Sequence, residues 1–180
     1  MKSLYIALLL AVVAILPLRA QEKQYIFVAQ PTEVFENAKV SYPMVNQFEE
    51  PLQLLPGMLF ELKGETDKYA IVDLPGWTNV HVPKSALGTP VPYKFAGGTL
   101  QMVYEPDSYP VVFTPATNAE GVQGWNVTFN GDTLWAYPDP RGFVIIDDPY
   151  EPGHVYGGIV QIGGRPRVWI YNTTYVLPWN

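Results

Sequence analysis

The sequence predicts an all-β protein, and three observations carry the prediction. Its 18 prolines and 15 glycines are spread along the chain and not gathered into one linker. Proline ends or kinks a helix, and most intervals between prolines are too short for a sustained one. The apolar residues are mostly Val, Ile, Tyr, Phe and Trp, which suit a pleated surface. Short apolar runs also recur with turn residues between them, the spacing of a sandwich or barrel.

The first 20 residues read as a leader and not as part of the fold. Met1-Lys2 is a short positive start, Leu4 to Leu18 is apolar, and Leu18-Arg19-Ala20 precedes the polar Gln21-Glu22-Lys23. This is the layout of a secretory signal peptide cut after Ala20. A membrane span needs about 20 apolar residues, more than this run holds. After cleavage the expectation is a chain without a membrane span, periplasmic or extracellular. Two of the 11 basic residues, Lys2 and Arg19, fall in the leader, leaving nine against 17 Asp and Glu. Such a surface repels nucleic acid and anionic lipid, so neither is an expected partner. The chain has no cysteine, which removes disulfides, thiol nucleophiles and thiolate metal sites. Stability must come from a core, and 5 Trp, 12 Tyr and 8 Phe supply one. A leader without cysteine fits a bacterial envelope protein.

In chain order, the predicted strands are Tyr25–Ala29, Met58–Leu62, Tyr69–Asp73, Asn79–Val82, Leu100–Tyr104, Val111–Thr114, Trp125–Phe129, Leu134–Tyr137, Phe143–Asp147, Gly158–Ile162 and Arg167–Asn172. Short helical pieces are expected at Glu33–Ala38 and Pro83–Leu87. Gly88-Thr89-Pro90-Val91-Pro92 and Gly97-Gly98 resist regular structure. The chain therefore divides into a leader at 1–20, a first β unit at 21–88, a linker at 89–98 and a second antiparallel β unit at 99–180. One continuous domain with a long crossing loop is the alternative.

Gly57-Met58-Leu59-Phe60-Glu61-Leu62-Lys63-Gly64, Tyr69-Ala70-Ile71-Val72-Asp73, Pro75-Gly76-Trp77 and Val80-His81-Val82-Pro83-Lys84-Ser85-Ala86-Leu87 together resemble the second half of a bacterial SH3-type domain, the SH3b family. The resemblance covers residues 25–88. It implies a small barrel of five or six strands and a non-catalytic role in targeting envelope peptides. Thr32-Glu33-Val34-Phe35-Glu36-Asn37 stands where the family has an arginine-serine-glycine-proline stretch that helps to shape its ligand groove. Trp77 is either a core residue or an aromatic platform for a peptide or sugar, and Tyr69 is a second aromatic candidate. Val80 and Val82 alternate with Asn79 and His81, which places His81 on the polar face, exposed and without a role.

In the second unit, Phe129-Asn130-Gly131-Asp132 is a hairpin signal, because Asn-Gly suits a two-residue turn with both positions at positive φ. That turn sets Phe129 opposite Asp132, Val127 opposite Leu134, Trp125 opposite Ala136 and Asn126 opposite Trp135. Trp135 and Tyr137 then point away from Trp125 and Phe129. They are either covered by another segment, such as Tyr175–Trp179, or exposed as a docking platform. Gly163-Gly164 marks a further hairpin turn, and the unit as a whole is a meander, either half of a sandwich or a barrel.

Chemistry is harder to find. Asp147-Asp148-Pro149-Tyr150-Glu151-Pro152-Gly153-His154 gathers three carboxylates and an imidazole, but at no spacing that suits calcium or zinc. The plainer reading is a turn in which Asp147 or Asp148 caps the backbone. Ser85 lies four residues from His81 with no orienting group in sight. No cofactor or metal is called for, and no catalytic residue is identified. The expected function is a secreted, non-catalytic binding module for an envelope peptide or glycan, through Trp77, Trp135, Tyr137 and Tyr69. The alternatives are an envelope hydrolase that uses a carboxylate pair, and a structural protein whose aromatics are all core.

Overall fold

The computed structural model describes residues 23–46, 49–104, 107–151 and 154–170. Among them the regular elements are strands, with a single 3-10 turn, so the chain is all-β. The first half holds β1 (Tyr25–Phe27), β2 (Thr32–Glu33), β3 (Gln53–Leu54), β4 (Leu59–Glu61), β5 (Gly64–Glu65), β6 (Tyr69–Leu74) and β7 (Trp77–Pro83). They form the antiparallel pairs β1–β4 and β2–β3 and the sheet β5–β6–β7. The turn Lys84–Ala86 follows β7.

The second half holds β8 (Gly98–Tyr104), β9 (Asp107–Thr117), β10 (Gln123–Phe129), β11 (Asp132–Pro138), β12 (Val144–Asp147), β13 (Val155–Ile162) and β14 (Arg165–Ile170). These pair in chain order into one antiparallel sheet of seven strands that curls into a nearly closed barrel. At the seam, the N–H of Ile170 on β14 donates to Sδ of Met102 on β8 at 3.4 Å. Of the two predicted meander forms, the barrel is the one adopted.

The β10–β11 register is the one Asn-Gly predicts. Trp125 faces Ala136, Asn126 faces Trp135, and Phe129 faces Asp132. Asn130 and Gly131 turn the corner at φ 50° and 90°, both in the left-handed region a mirror-image turn requires. One face of the ribbon lies inside the barrel. Trp125, Val127, Phe129, Leu134 and Ala136 are buried there with Val111, Phe113, Val144, Ile146, Ile159 and Val168.

The outer face of β12 and β13 is covered by the first half. Tyr25, Phe27 and Leu59 from β1 and β4 join Phe143, Ile145 and Val160 in a second buried cluster. Phe27 meets Phe143 edge-on at 5.9 Å. The Arg141 guanidinium lies over both Tyr25 and Phe143, at 5.4 and 5.5 Å. Its charge is balanced by Asp139 at 2.9 Å, and it also donates to the Lys23 carbonyl. Residues 89–97 carry no regular element, as their glycines and prolines suggest. Phe95 nevertheless ties them to the barrel, edge-on to Phe113 at 5.0 Å and 5.5 Å from Trp125.

Three expectations are corrected. Glu33–Ala38 is not helical: Thr32–Glu33 is strand β2, and Phe35 exchanges backbone hydrogen bonds with His81 at 3.0 and 2.8 Å. That bridge also buries His81, which was expected to be exposed and is only 9% accessible. Its Nδ1 faces the Asn79 carbonyl at 2.9 Å, so Nδ1 carries the proton, and its ring meets Tyr69 edge-on at 5.8 Å. Third, β9 extends well beyond Val111–Thr114 through both Pro110 and Pro115. Pro110 is paired only with β8 and Pro115 only with β10, so neither missing N–H interrupts a second ladder. The predicted strand end at Asn172, and Tyr175–Trp179 as a cover, lie outside the described residues.

Candidate functional site

A cleft of about 320 Å³ opens where the tip of the β6–β7 hairpin meets the approach to β13. Each wall starts at a bulge. On the first wall the β6–β7 register slips between Val72 and Leu74, and Pro75-Gly76 then turns the chain so that Leu74 faces Trp77. A bulge re-aims the side chains beside it. Asp73 reaches across the hairpin, and its Oδ1 accepts the Asn79 N–H at 2.9 Å. Trp77 is half-buried, with part of its ring against the core and part lining the cleft.

On the second wall the β12–β13 register slips between Ile146 and Asp147. Asp148 then closes a turn, its Oδ1 accepting the N–H groups of Tyr150 at 2.8 Å and Glu151 at 3.1 Å. This is the backbone-capping role that the acidic stretch suggests. Glu151 pairs with His154 Nδ1 at 2.7 Å. Tyr156 is buried at the base of this wall, and Tyr150, 77% exposed, meets it edge-on. Among the described residues no group of three or more His, Asp or Glu is placed to hold a metal ion.

Phe60 and Glu61 complete the lining from β4. Glu61 lies between Lys23 at 2.9 Å and Lys63 at 3.0 Å. Burial alone would raise its pKa, but hydrogen bonds and charge from the two ammonium groups outweigh burial and hold it below the usual glutamate range.

The four aromatic candidates fall in three places. Trp77 alone of them lines the cleft. Tyr69, at the far end of the same hairpin, is half-buried between Phe35 and His81, both edge-on at 5.8 Å. Trp135 and Tyr137 share the outer face of β11, and both are half-buried. Trp135 lies against β10 so closely that a Cβ at Gly124 would stand 2.7 Å from its Cζ2. Tyr137 packs against the cluster that joins the two halves, and its hydroxyl is hydrogen-bonded to Asp147 and Tyr25. Burial, reinforced by those partners, pushes the phenol far above its ordinary range. Asp147 is raised as well, because burial outweighs the hydrogen bond from Tyr137. This trio links β1 to β11 and β12.

Asp73, Glu61 and Tyr156 are not singled out as site residues by the sequence. Asp148, Glu151 and His154 stand out in the sequence as an acidic turn, with nothing that links them to Trp77. Only the fold brings residues 73–78 beside Asp148, Glu151, His154, Val155 and Tyr156. In comparison with known proteins, no family model, no curated protein and no solved structure matches this chain.

Proposed function

We propose that this chain is a secreted, non-catalytic binding module that holds a cell-envelope peptide or glycan in the cleft at Trp77. On this reading residues 25–88 serve as an SH3b-type targeting unit, and the barrel supplies the facing wall. The observation that carries the proposal is the position of Trp77. Its indole is anchored in the core along one part and open to the cleft along the other, so it is held rigid at little entropic cost on binding. Phe60 and Tyr156 add apolar surface, and the polar lining comes from Glu61, Lys63, Asp73, Asp148, Glu151 and His154. A cleft with an apolar wall and a few fixed polar groups is the usual form of a ligand site.

The hydrolase alternative requires two carboxyls with divergent acidities facing one cleft. Among the described residues Asp147 is the carboxyl with a raised pKa, and its partner is the phenol of Tyr137, not a second acid. The binding reading is therefore preferred. Its test is co-sedimentation of the full chain with purified peptidoglycan. Trp77→Ala is expected to lose most retention, while Trp135→Ala behaves like wild type. Equal retention of Trp77→Ala and wild type would remove the cleft from consideration.

A further inference from the structure

We infer that the cleft recognises a cation: the ammonium or guanidinium group of a basic peptide side chain. This rests on the binding reading above and selects within it. The argument starts from which charges in the cleft are already matched. Glu61 is neutralised by Lys23 and Lys63, so Lys63 is engaged as well. His154 is engaged by Glu151. Asp73 and Asp148 form no ion pair among the described residues. Each uses Oδ1 to accept backbone N–H groups, which fixes the carboxylate in place while leaving the charge without a counter-ion.

These two carboxylates come from opposite walls, one on the β6–β7 hairpin and one on the loop into β13. A cation in the cleft is attracted by both. Trp77 lines the same cleft, and indole is the aromatic ring that best attracts a cation. Leu74, Phe60 and Tyr156 offer apolar wall along which the aliphatic stem of a lysine or arginine lies while its head reaches the carboxylates. The net charge of −6 on the whole chain points the same way. Its field draws cations in and turns away phosphate- or carboxylate-rich polymers.

The test uses the full-length mature chain and three probes read by calorimetry. They are acetyl-Gly-Lys-Gly-Lys-Gly-amide, the same peptide with Glu for Lys, and the neutral, fully N-acetylated chitotetraose. The lysine peptide is expected to bind and the glutamate peptide to give no heat. Asp73→Asn and Asp148→Asn keep the Oδ1 acceptor and so the local fold. Each is expected to weaken the lysine peptide about two- to five-fold, the scale of a partly exposed ion pair. Raising the salt to about 0.5 M is expected to weaken it further. Chitotetraose binding as tightly as the lysine peptide, or both Asn variants binding it like wild type, would overturn the cation. Trp77→Ala separates the two levels. If it abolishes peptidoglycan retention while the Asn variants change nothing, the cleft stands and its cation specificity falls. If it retains peptidoglycan like wild type, both fall.

Discussion

Leu59 reaches the barrel because residue 158 has no side chain. A Cβ at Gly158 would stand 2.7 Å from Leu59 Cδ2 and 2.4 Å from the Val144 carbonyl oxygen. This contact is where β4 rests on β13 and the two halves share buried surface. Gly158→Ala is expected to destabilise the protein by about 1–3 kcal/mol, the usual range for overpacking a filled core. Urea unfolding followed by near-ultraviolet circular dichroism measures it. A variant as stable as wild type would mean that β4 can shift without loss.

The Asn130-Gly131 turn gives a second prediction. Gly131 sits at φ 90°, which glycine adopts freely; an added Cβ would meet no neighbour, but an L residue would be strained in that backbone conformation. Gly131→Val is expected to cost about 1–3 kcal/mol through backbone conformation alone, with no loss of packing. Gly131→Asn, a residue that tolerates positive φ, is expected to recover part of it. Thermal unfolding of the pair distinguishes backbone strain from a packing effect, since both variants add a side chain into open space.

Asp147 and Glu61 are expected to move stability in opposite directions with pH. Asp147 titrates near 3.8 in an unfolded chain and higher in the fold, because burial disfavours its charge. The folded chain therefore holds the proton more tightly. Stability falls as pH rises from 3.8 through the folded pKa. Asp147→Asn keeps an oxygen for the Tyr137 hydroxyl and removes the buried charge. It is expected to match or exceed wild type at pH 7 and to lose that advantage at pH 3. Chemical unfolding of both proteins across this range is the measurement, and an advantage that grows toward acid would contradict the assignment.

For Glu61 the folded pKa lies below its ordinary 4.5, so its contribution is present above that value and is lost as pH falls through the folded pKa. Glu61→Gln is expected to lose about 0.5–1 kcal/mol at pH 7, the scale of a partly exposed pair. The deficit should shrink in acid. A deficit independent of pH would indicate lost packing in place of lost charge.

Much of the barrel was legible in the sequence, because local chemistry fixes it. Asn130-Gly131 sets the register, and alternation then assigns Trp125 and Trp135 to opposite faces. What covers the outer face was not legible, because β1 and β4 lie far away in sequence from the β12–β13 surface they bury. Strand alternation left Tyr137 either covered or exposed, and it could not show that the hydroxyl bonds Tyr25 and Asp147 across the two halves. His81 was misread for the same reason: strand alternation says nothing about Phe35 arriving to pair at its edge. Pro110 and Pro115 shortened the predicted β9, since composition cannot tell which side of a strand lacks a neighbour. The site was half legible. Trp77 stood out as an aromatic after a tight turn, but the cleft it lines is shared with Asp148, Glu151, His154, Val155 and Tyr156, and only the three-dimensional fold makes them neighbours.

The most direct test is amide chemical-shift mapping of the labelled full chain during titration with soluble peptidoglycan fragments that retain their stem peptides. The predicted result is a localised set of shifts at Gly76, Trp77, Thr78, Asp148 and Tyr156, absent in Trp77→Ala. Shifts confined to the outer face of β11 around Trp135, or no shifts at saturating fragment, would contradict the placement of a binding site at the hairpin tip.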